Sequence, residues 1–528
     1  MDGFVVNDKP FFPLGGQSQN SSAYNAAEIA SAIAGVQALG GNTLEAPVYW
    51  GQVEPEEGRF NFDSATMLVE ECRKAGLRLV ILWFATWKNG EMRYCPEWVK
   101  KDRARFRRVR RADGTEMQVL SSFCEASMAA DSAAFRALMA HIGSIDGGIG
   151  TIIAVQAENE PGILGSDRDY NPEATAALTE PVPAAIVEAI EKRGCGPAWD
   201  LWTANGALQN GSWMELFGLY GGEFCQAYSI ARYIDTVAAE GKQSCSLPVY
   251  VNAWLGEPGW EIPGIYPAGG AVGRVLDVWK AAAPHINFLS PDIYTGNFSD
   301  YQRVCRVYRR EDNPLFVPES GANDSNALNM LRAIADFSAI GYCIFAADSI
   351  LTPDGELRPE CRLFAESFRS VKAVLPLLLK YRGTGRIHAV IQEEHQMIQG
   401  LDFEKYIGAV DFGRNLLHLH LDHRHRRNPG LTEGRPSFGF IIEAGPGEFY
   451  LSGNFRLYLT QKKSPEWNTI LLGQTVFMPE DYLSVEEGTL DEDGTFVATR
   501  ERNGDEASVA GFWATAHCGV VRVRLNVL

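Results

Sequence analysis

Three glutamates end apolar runs, where charge is costly. The stretch "QAENEPG", residues 156–162, follows "GTIIAV" and carries Glu158 and Glu160 around Asn159. The stretch "VPESGAN" closes "NPLF" and carries Glu319. A desolvated carboxylate needs a partner or a task. Two carboxylates facing each other across a concave site are what glycoside hydrolysis uses. One protonates the leaving oxygen, and the other attacks the anomeric carbon or positions a water. Their surroundings must differ, so that one is protonated and one ionised near neutral pH. A buried ion-pair network explains either glutamate alone. It explains less well both at once, on two strand ends of the same rim.

The surrounding elements supply that rim. Eight apolar runs read as strands: "PFFPLGGQ", "NTLEAPVYW", "GLRLVILWFATW", "GTIIAVQAENEPG", "LPVYVNAWL", "INFLSPDIYTG", "NPLFVPESGAN" and "YCIFAADSI". A helical pattern follows each, such as "AYNAAEIASAIAGVQALGG" with Gly40 and Gly41 at its end. Repeated βα alternation implies parallel strands joined by right-handed crossovers. Eight units predict an α/β fold, a (β/α)8 TIM barrel over residues 1–381. No GxGxxG follows the first strand, which disfavours a dinucleotide fold. Glu160 (or Glu158) and Glu319 then end strands four and seven, at the C-terminal face where barrel enzymes carry their chemistry. From about residue 382 short alternating runs broken by Gly, Asn and Asp predict a C-terminal β-sandwich over 382–528.

"NE" at the end of strand four, with a glutamate ending strand seven, resembles the retaining β-glycosidases built on (β/α)8 barrels. Within that clan "QAENEPG" is similar to the Gln-x-Glu-Asn-Glu motif of glycoside hydrolase family 35, the β-galactosidases. "NTLEAPVYWGQVEPEEGRFNF", "LVILWFATWKNG", "YCPEWVK", "PVYVNAWL", "LSPDIY" and "NPLFVPESG" resemble a bacterial branch with an uncharacterised C-terminal β-domain. The resemblance implies a retaining, exo-acting β-glycosidase, foremost a β-galactosidase, that needs no cofactor and no metal. It implies Glu160 as acid/base and Glu319 as nucleophile. It further implies that Asn159 binds the sugar 2-OH and that Tyr294 donates to Glu319.

Other candidates come from their places at strand ends. Tyr49 and Trp50, Trp83 and Trp87, and Trp254 offer rings for a sugar face, or else pack the core. Lys88, Asn89 and Asn252 offer polar contacts to hydroxyls. Glu158, two residues before Glu160, is expected on the same side of an extended strand, as a buried group with a cationic or hydrogen-bonding partner. The pattern departs from better-known family members in one place and from the wider clan in another. "FATWKNG" has no glutamate after strand three, and strand eight ends "FAADS", offering Phe345 in place of a tryptophan. Both departures bear on which sugar fits. A β-glucoside-processing enzyme or a transglycosylase would keep the same motifs, as would a barrel that binds carbohydrate without turnover.

Composition excludes other classes. The 528 residues are 46% apolar, with a net charge of −18. That balance argues against nucleic-acid and anionic-membrane partners. The basic run "KKDRARFRRVRR", residues 100–111, reads as a solvated loop or helix face. His418, His420, His423 and His425 in "HLHLDHRHRR" read as a solvated strand and turn in preference to a metal site. Ten scattered cysteines without a CxxC pair, and no secretory leader, predict a cytoplasmic protein with reduced thiols. A homo-oligomer is compatible with the acidic surface.

Overall fold

The computed structural model describes residues 3–393, 396, 398–412, 436–462, 481–504, 507, 511–515 and 518–527. Within them the chain forms two compact units, 1–321 with 340–356, and 322–339 with 357–528.

The first unit holds eight parallel strands: β1 (Leu14–Gln17), β2 (Thr43–Tyr49), β3 (Arg78–Lys88), β4 (Ile152–Asn159), β5 (Val249–Trp254), β6 (Phe288–Asp292), β7 (Phe316–Val317) and β8 (Gly341–Phe345). Their order is β6-β5-β4-β3-β2-β1-β8-β7. The sheet nearly closes into a barrel. β6 and β7 meet just beyond their ends, at a parallel bridge between Ile293 and Ser320. There Ile293 N donates to Glu319 O at 2.9 Å. The TIM-barrel expectation holds.

Local chemistry explains these elements. All but the first residue of β3 are buried, as expected of a strand covered on both faces. β1 approaches β2 so closely that a Cβ on Gly15 would lie 1.7 Å from Thr43 O. Only glycine fits there. The first helix, α1 (Ala26–Leu39), starts at Asn25, whose side chain accepts from Ala27 N and Glu28 N. Such a cap contributes about 1 kcal/mol. Gly40, at φ 76°, ends it in the left-handed region. A hairpin of Phe4–Val6 and Lys9–Phe11 brings Phe4 edge-on to Phe316 and Phe288, at 5.2 and 5.9 Å. Those rings fill the barrel's N-terminal end, and Tyr250 stacks on Phe288.

The long connection after β3 carries the basic run. Its cations pair with acids: Arg105 with Glu57, Lys101 with Glu97, and Arg103 and Arg110 with Glu116. It is a solvated loop and hairpin with several of its cations paired, as expected.

The second unit contains helices α2 (Asp324–Phe337) and α3 (Arg362–Tyr381) and an antiparallel β-sandwich. Its centre is β13 (Glu448–Gln461), following β9 (Ile387–Ile391), β10 (Ile398–Asp402), β11 (Tyr406–Asp411) and β12 (Phe438–Gly445). One end of β13 pairs with β12, the other with β11. Phe403, Phe449, Leu451, Phe455, Leu457, Val485 and Val523 form its apolar core. The histidine run 418–425 lies outside the described residues.

Candidate active site

The C-terminal ends of the barrel strands bring Glu160 and Glu319 together. Glu160 follows β4 directly and Glu319 follows β7 after Pro318. Both are buried, at 4% and 3% exposure. One carboxyl oxygen of each lies within 4.8 Å of the other.

The two acids have different surroundings. Glu319 accepts four hydrogen bonds. Gln17 Nε2 donates to Oε1 at 2.8 Å, Asn159 Nδ2 at 3.2 Å and Asn252 Nδ2 at 3.4 Å, while Tyr294 OH donates to Oε2 at 2.8 Å. That shell suits an ionised carboxylate. Glu160 has one side-chain amide donor, Asn89 Nδ2, on Oε2. Burial first, then the charge of Glu319, pushes the Glu160 carboxyl up to about 7, against Lys88 and a hydrogen bond with Asp292. This is the divergence that paired acid chemistry requires.

Most polar candidates meet here. Lys88 Nζ donates to Asn159 Oδ1 at 2.6 Å, leaving the amide's Nδ2 turned to Glu319. Asn252 Oδ1 accepts from Glu160 N at 2.9 Å. Tyr294 reaches Glu319 with its hydroxyl while the residue stays 46% exposed. Its ring stands edge-on to Phe345, at 6.4 Å. Phe345 and Trp254, at the ends of β8 and β5, are half-buried.

The aromatic candidates from β2 and β3 lie elsewhere, and for them the expectation of a sugar platform is corrected. Trp83 is fully buried and donates to Asp131 Oδ1 at 2.9 Å. Trp87 is buried edge-on to Tyr233. Tyr49 is buried between Tyr24 and Tyr94, at 4.3 and 5.0 Å. Trp50 is buried and bonded to Glu54. All four are core residues, because their rings face the surrounding helices and loops.

Glu158 is buried, but it does not follow Glu160. Its φ is 62° and that of Glu160 is 45°, so the pleat breaks and alternation fails. Glu158 accepts from Trp87 N at 2.7 Å and meets Asp131. The partner is a second carboxyl, not a cation. Burial raises both groups, Glu158 most strongly.

Two residues at the centre were not singled out from the sequence, Gln17 and Asp292. Each ends a barrel strand, β1 and β6, so the strand-end criterion that found Glu160 points to them too. Asp292 also stands two residues before Tyr294 in "SPDIY". Among the described residues, Glu160, Asp292 and Glu319 are spaced closely enough to hold a metal ion. A cation there would occupy the space between the two acids that a sugar needs.

Residues 3–251 match the family model described as Glycosyl hydrolases family 35. Residues 364–512 match a domain of unknown function, DUF5597. No curated protein matches the sequence. Similar solved structures include the catalytic domain of a β-amylase from Paenibacillus polymyxa, at 14% identity and TM-score 0.48, covering 67% of this chain and 97% of that one. A β-galactosidase from Halorubrum lacusprofundi is 14% identical at TM-score 0.48, with 68% of this chain and 58% of that one covered. A β-galactosidase from Bacillus circulans sp. alkalophilus is also 14% identical at TM-score 0.48, covering 70% and 57%. The chain thus spans less than two thirds of either β-galactosidase. No helix among the described residues is long and apolar enough to cross a membrane.

Proposed function

We propose, from the premise that residues 3–251 belong to glycosyl hydrolase family 35 and make this chain a glycoside hydrolase, that it is a retaining, exo-acting β-galactosidase. The observation that carries this reading is the approach of two unlike carboxyls to within 4.8 Å. Retaining enzymes hold their carboxyl groups about 5–5.5 Å apart, whereas inverting ones leave about 6.5–9.5 Å for a water.

The geometry supports this reading. Glu319, ionised within its four donors, attacks the anomeric carbon. Glu160, held protonated by burial and by Glu319, gives its proton to the glycosidic oxygen as that bond breaks. The sugar is then esterified to Glu319, and the leaving group departs as an alcohol. Glu160, now a carboxylate, takes a proton from water, whose oxygen attacks the anomeric carbon and releases Glu319. Asn159, fixed by Lys88, faces the nucleophile where a 2-OH would sit. Tyr294 holds Glu319 Oε2 and offers its exposed ring, with Phe345 and Trp254, to the sugar. Asn89 and Asn252 position Glu160 through its carboxylate and its backbone N–H.

A panel of nitrophenyl β-glycosides differing only in the sugar tests this reading. Fastest turnover of the galactoside, with β-galactose as the first product, is the expected result. Preference for the glucoside, transfer to added sugar acceptors in place of water, or release of the α-anomer would each overturn the corresponding part. Binding without turnover of any glycoside would overturn it entirely.

A further inference from the structure

Double displacement uses two of the three carboxyls that lie within 4.8 Å of one another here. The third belongs to Asp292, the last residue of β6, only 3% exposed. Asn252 joins all three. Its Nδ2 donates to Asp292 Oδ2 at 2.8 Å and lies 3.4 Å from Glu319 Oε1, and its Oδ1 accepts from Glu160 N at 2.9 Å. Asp292 Oδ1 is buried and meets no donor. One oxygen from each of the three acids lies within 4.8 Å of the others. Lys88 is the cation that acts on Glu160 and Asp292. Three carboxylates beside one ammonium would leave two net negative charges in a buried site, and carboxyls this close do not all ionise. The cycle needs a single charge, which moves from Glu319 to Glu160 when the ester forms. At no stage does it need a charge on Asp292.

We propose that Asp292 stays protonated through turnover and that its Oδ1–H is a fixed hydrogen-bond donor to the Glu160 carboxylate, which makes Asp292 a positioning residue for the acid/base. The proposal rests on the roles given above to Glu160 and Glu319. Burial, then the charges of Glu319 and Glu160, raises the Asp292 carboxyl well above the usual range. The contact between Asp292 and Glu160 raises the first and lowers the second, as it must when Asp292 holds the proton. The other titratable groups facing the pair are Tyr294 beyond β6, Tyr250 on β5, and Tyr308 on the following helix, Phe298–Tyr308. All three hydroxyls are raised, so they are neutral at working pH. The proton that Glu160 donates and recovers is its own, and the Asp292 proton never leaves Asp292.

The test is the pH profile of kcat/KM, which reports ionisations of the free enzyme, measured with whichever nitrophenyl glycoside is turned over fastest. Asp292→Asn keeps a neutral donor of the same shape, with its carbonyl accepting from Asn252 and its NH2 in place of Oδ1–H. Turnover should fall modestly and the basic limb should stay in place. Asp292→Ala removes the donor, and the basic limb should move up by about one pH unit, the size of one hydrogen bond to a charged group. If Asp292 is instead ionised, both variants move that limb down. If it is merely structural, neither moves it. Either result overturns the proposal. Should Asp292→Ala fail to fold, Asp292→Leu, which keeps the bulk without a donor, takes its place with the same expected upward shift, because Asp292→Asn alone separates an ionised Asp292 from a neutral one but not a donor from a structural group. Glu160→Ala separates the two levels of inference. A basic limb that survives in it refutes the role of Glu160 and the proposal together. A limb lost in it but displaced in Asp292→Asn refutes the proposal alone.

Discussion

Removing the charge of Glu319 should lower the pH at which Glu160 gives up its proton. Glu160 stands at about 7, raised from 4.5 first by burial and next by Glu319. At an effective dielectric of about 20, unit charges 4.8 Å apart repel by about 3.5 kcal/mol, equivalent to about 2.5 pH units. Each charge is shared over two oxygens, and Lys88 offsets part of the repulsion, so about 1–2 units is the expected effect. In Glu319→Gln, Glu160 should therefore titrate at about 5–6, with burial accounting for what remains above 4.5. An ester on Glu319, the intermediate of the proposed mechanism, would remove the same charge. Glu160 would then be the right acid for the first step and the right base for the second. Carbon-13 NMR of carboxyl-labelled glutamate reads this directly, with Glu160 assigned by its loss in a Glu160→Gln, Glu319→Gln double variant. Glu319→Ala should move Glu160 in the same direction. If Glu160 titrates at its wild-type position or higher in both variants, the two carboxyls are not coupled and the reasoning from their approach is wrong.

Glu160→Gln should slow turnover by about 100- to 10,000-fold for leaving groups that need a proton, and far less for dinitrophenolate, which needs none; steady-state rates across a leaving-group series check this. Glu319→Gln should abolish the covalent intermediate, and no glycosyl-enzyme mass should be trapped by a slow 2-fluoro glycoside. Tyr294→Phe removes one hydrogen bond to a charged carboxylate, about 1.5–3 kcal/mol, so kcat/KM should fall by about 10- to 150-fold without loss of fold. Glu45, fully buried inside the barrel and bonded to Tyr250, is pushed up to about 8 by burial. Its folded form holds a proton that the unfolded chain releases near 4.5, so stability falls as pH rises from there to about 8, by up to about 1.4 kcal/mol per pH unit. Glu45→Gln should flatten that decline in melting curves recorded from pH 5 to 8.

The barrel was legible because its strands are unusually plain in sequence. "RLVILWFATWK" reads as a strand covered on both faces, and β3 is buried along nearly its whole length. The polar site was legible for the same reason: Glu160, Glu319, Asn159, Asn252, Lys88 and Tyr294 interrupt apolar runs at strand ends. Ring orientation was not legible. A tryptophan at a strand end faces the mouth or the helices according to local twist, and Trp83 and Trp87 face away. Glu158 misled because period-two alternation assumes regular strand angles, and β4 abandons them at its last turns. Gln17 and Asp292 were missed because their importance lies in convergence. Each ends an apolar run as Glu160 does, but only closure of the barrel brings them to Glu319 and Glu160. The short strand β10 and the pairing of β13 with both β11 and β12 were hidden likewise, because register across a sandwich is set by distant partners.

Strained backbone and buried acids meet around the ends of β3 and β4. Glu158, Glu160 and Asn89 all hold positive φ, at 62°, 45° and 55°. Non-glycine residues in that region cost of order 1–3 kcal/mol each and persist only where the surroundings over-determine them. Beside them lie five buried carboxyls, Asp131, Glu158, Glu160, Asp292 and Glu319. Strain and buried acid compound each other here for a geometric reason. The left-handed turn at Glu158 sends that side chain back toward Trp87 N and Asp131, and the next one at Glu160 returns the chain toward Asn89 and Asp292. A regular strand would have delivered both glutamates to one face, where two acids would compete for the same surroundings. The broken pleat sorts them into two separate carboxyl pairs, Glu158 with Asp131 and Glu160 with Asp292, and leaves Glu319 with donors enough to remain the charged member. The strain is therefore tied to the division of labour among the acids.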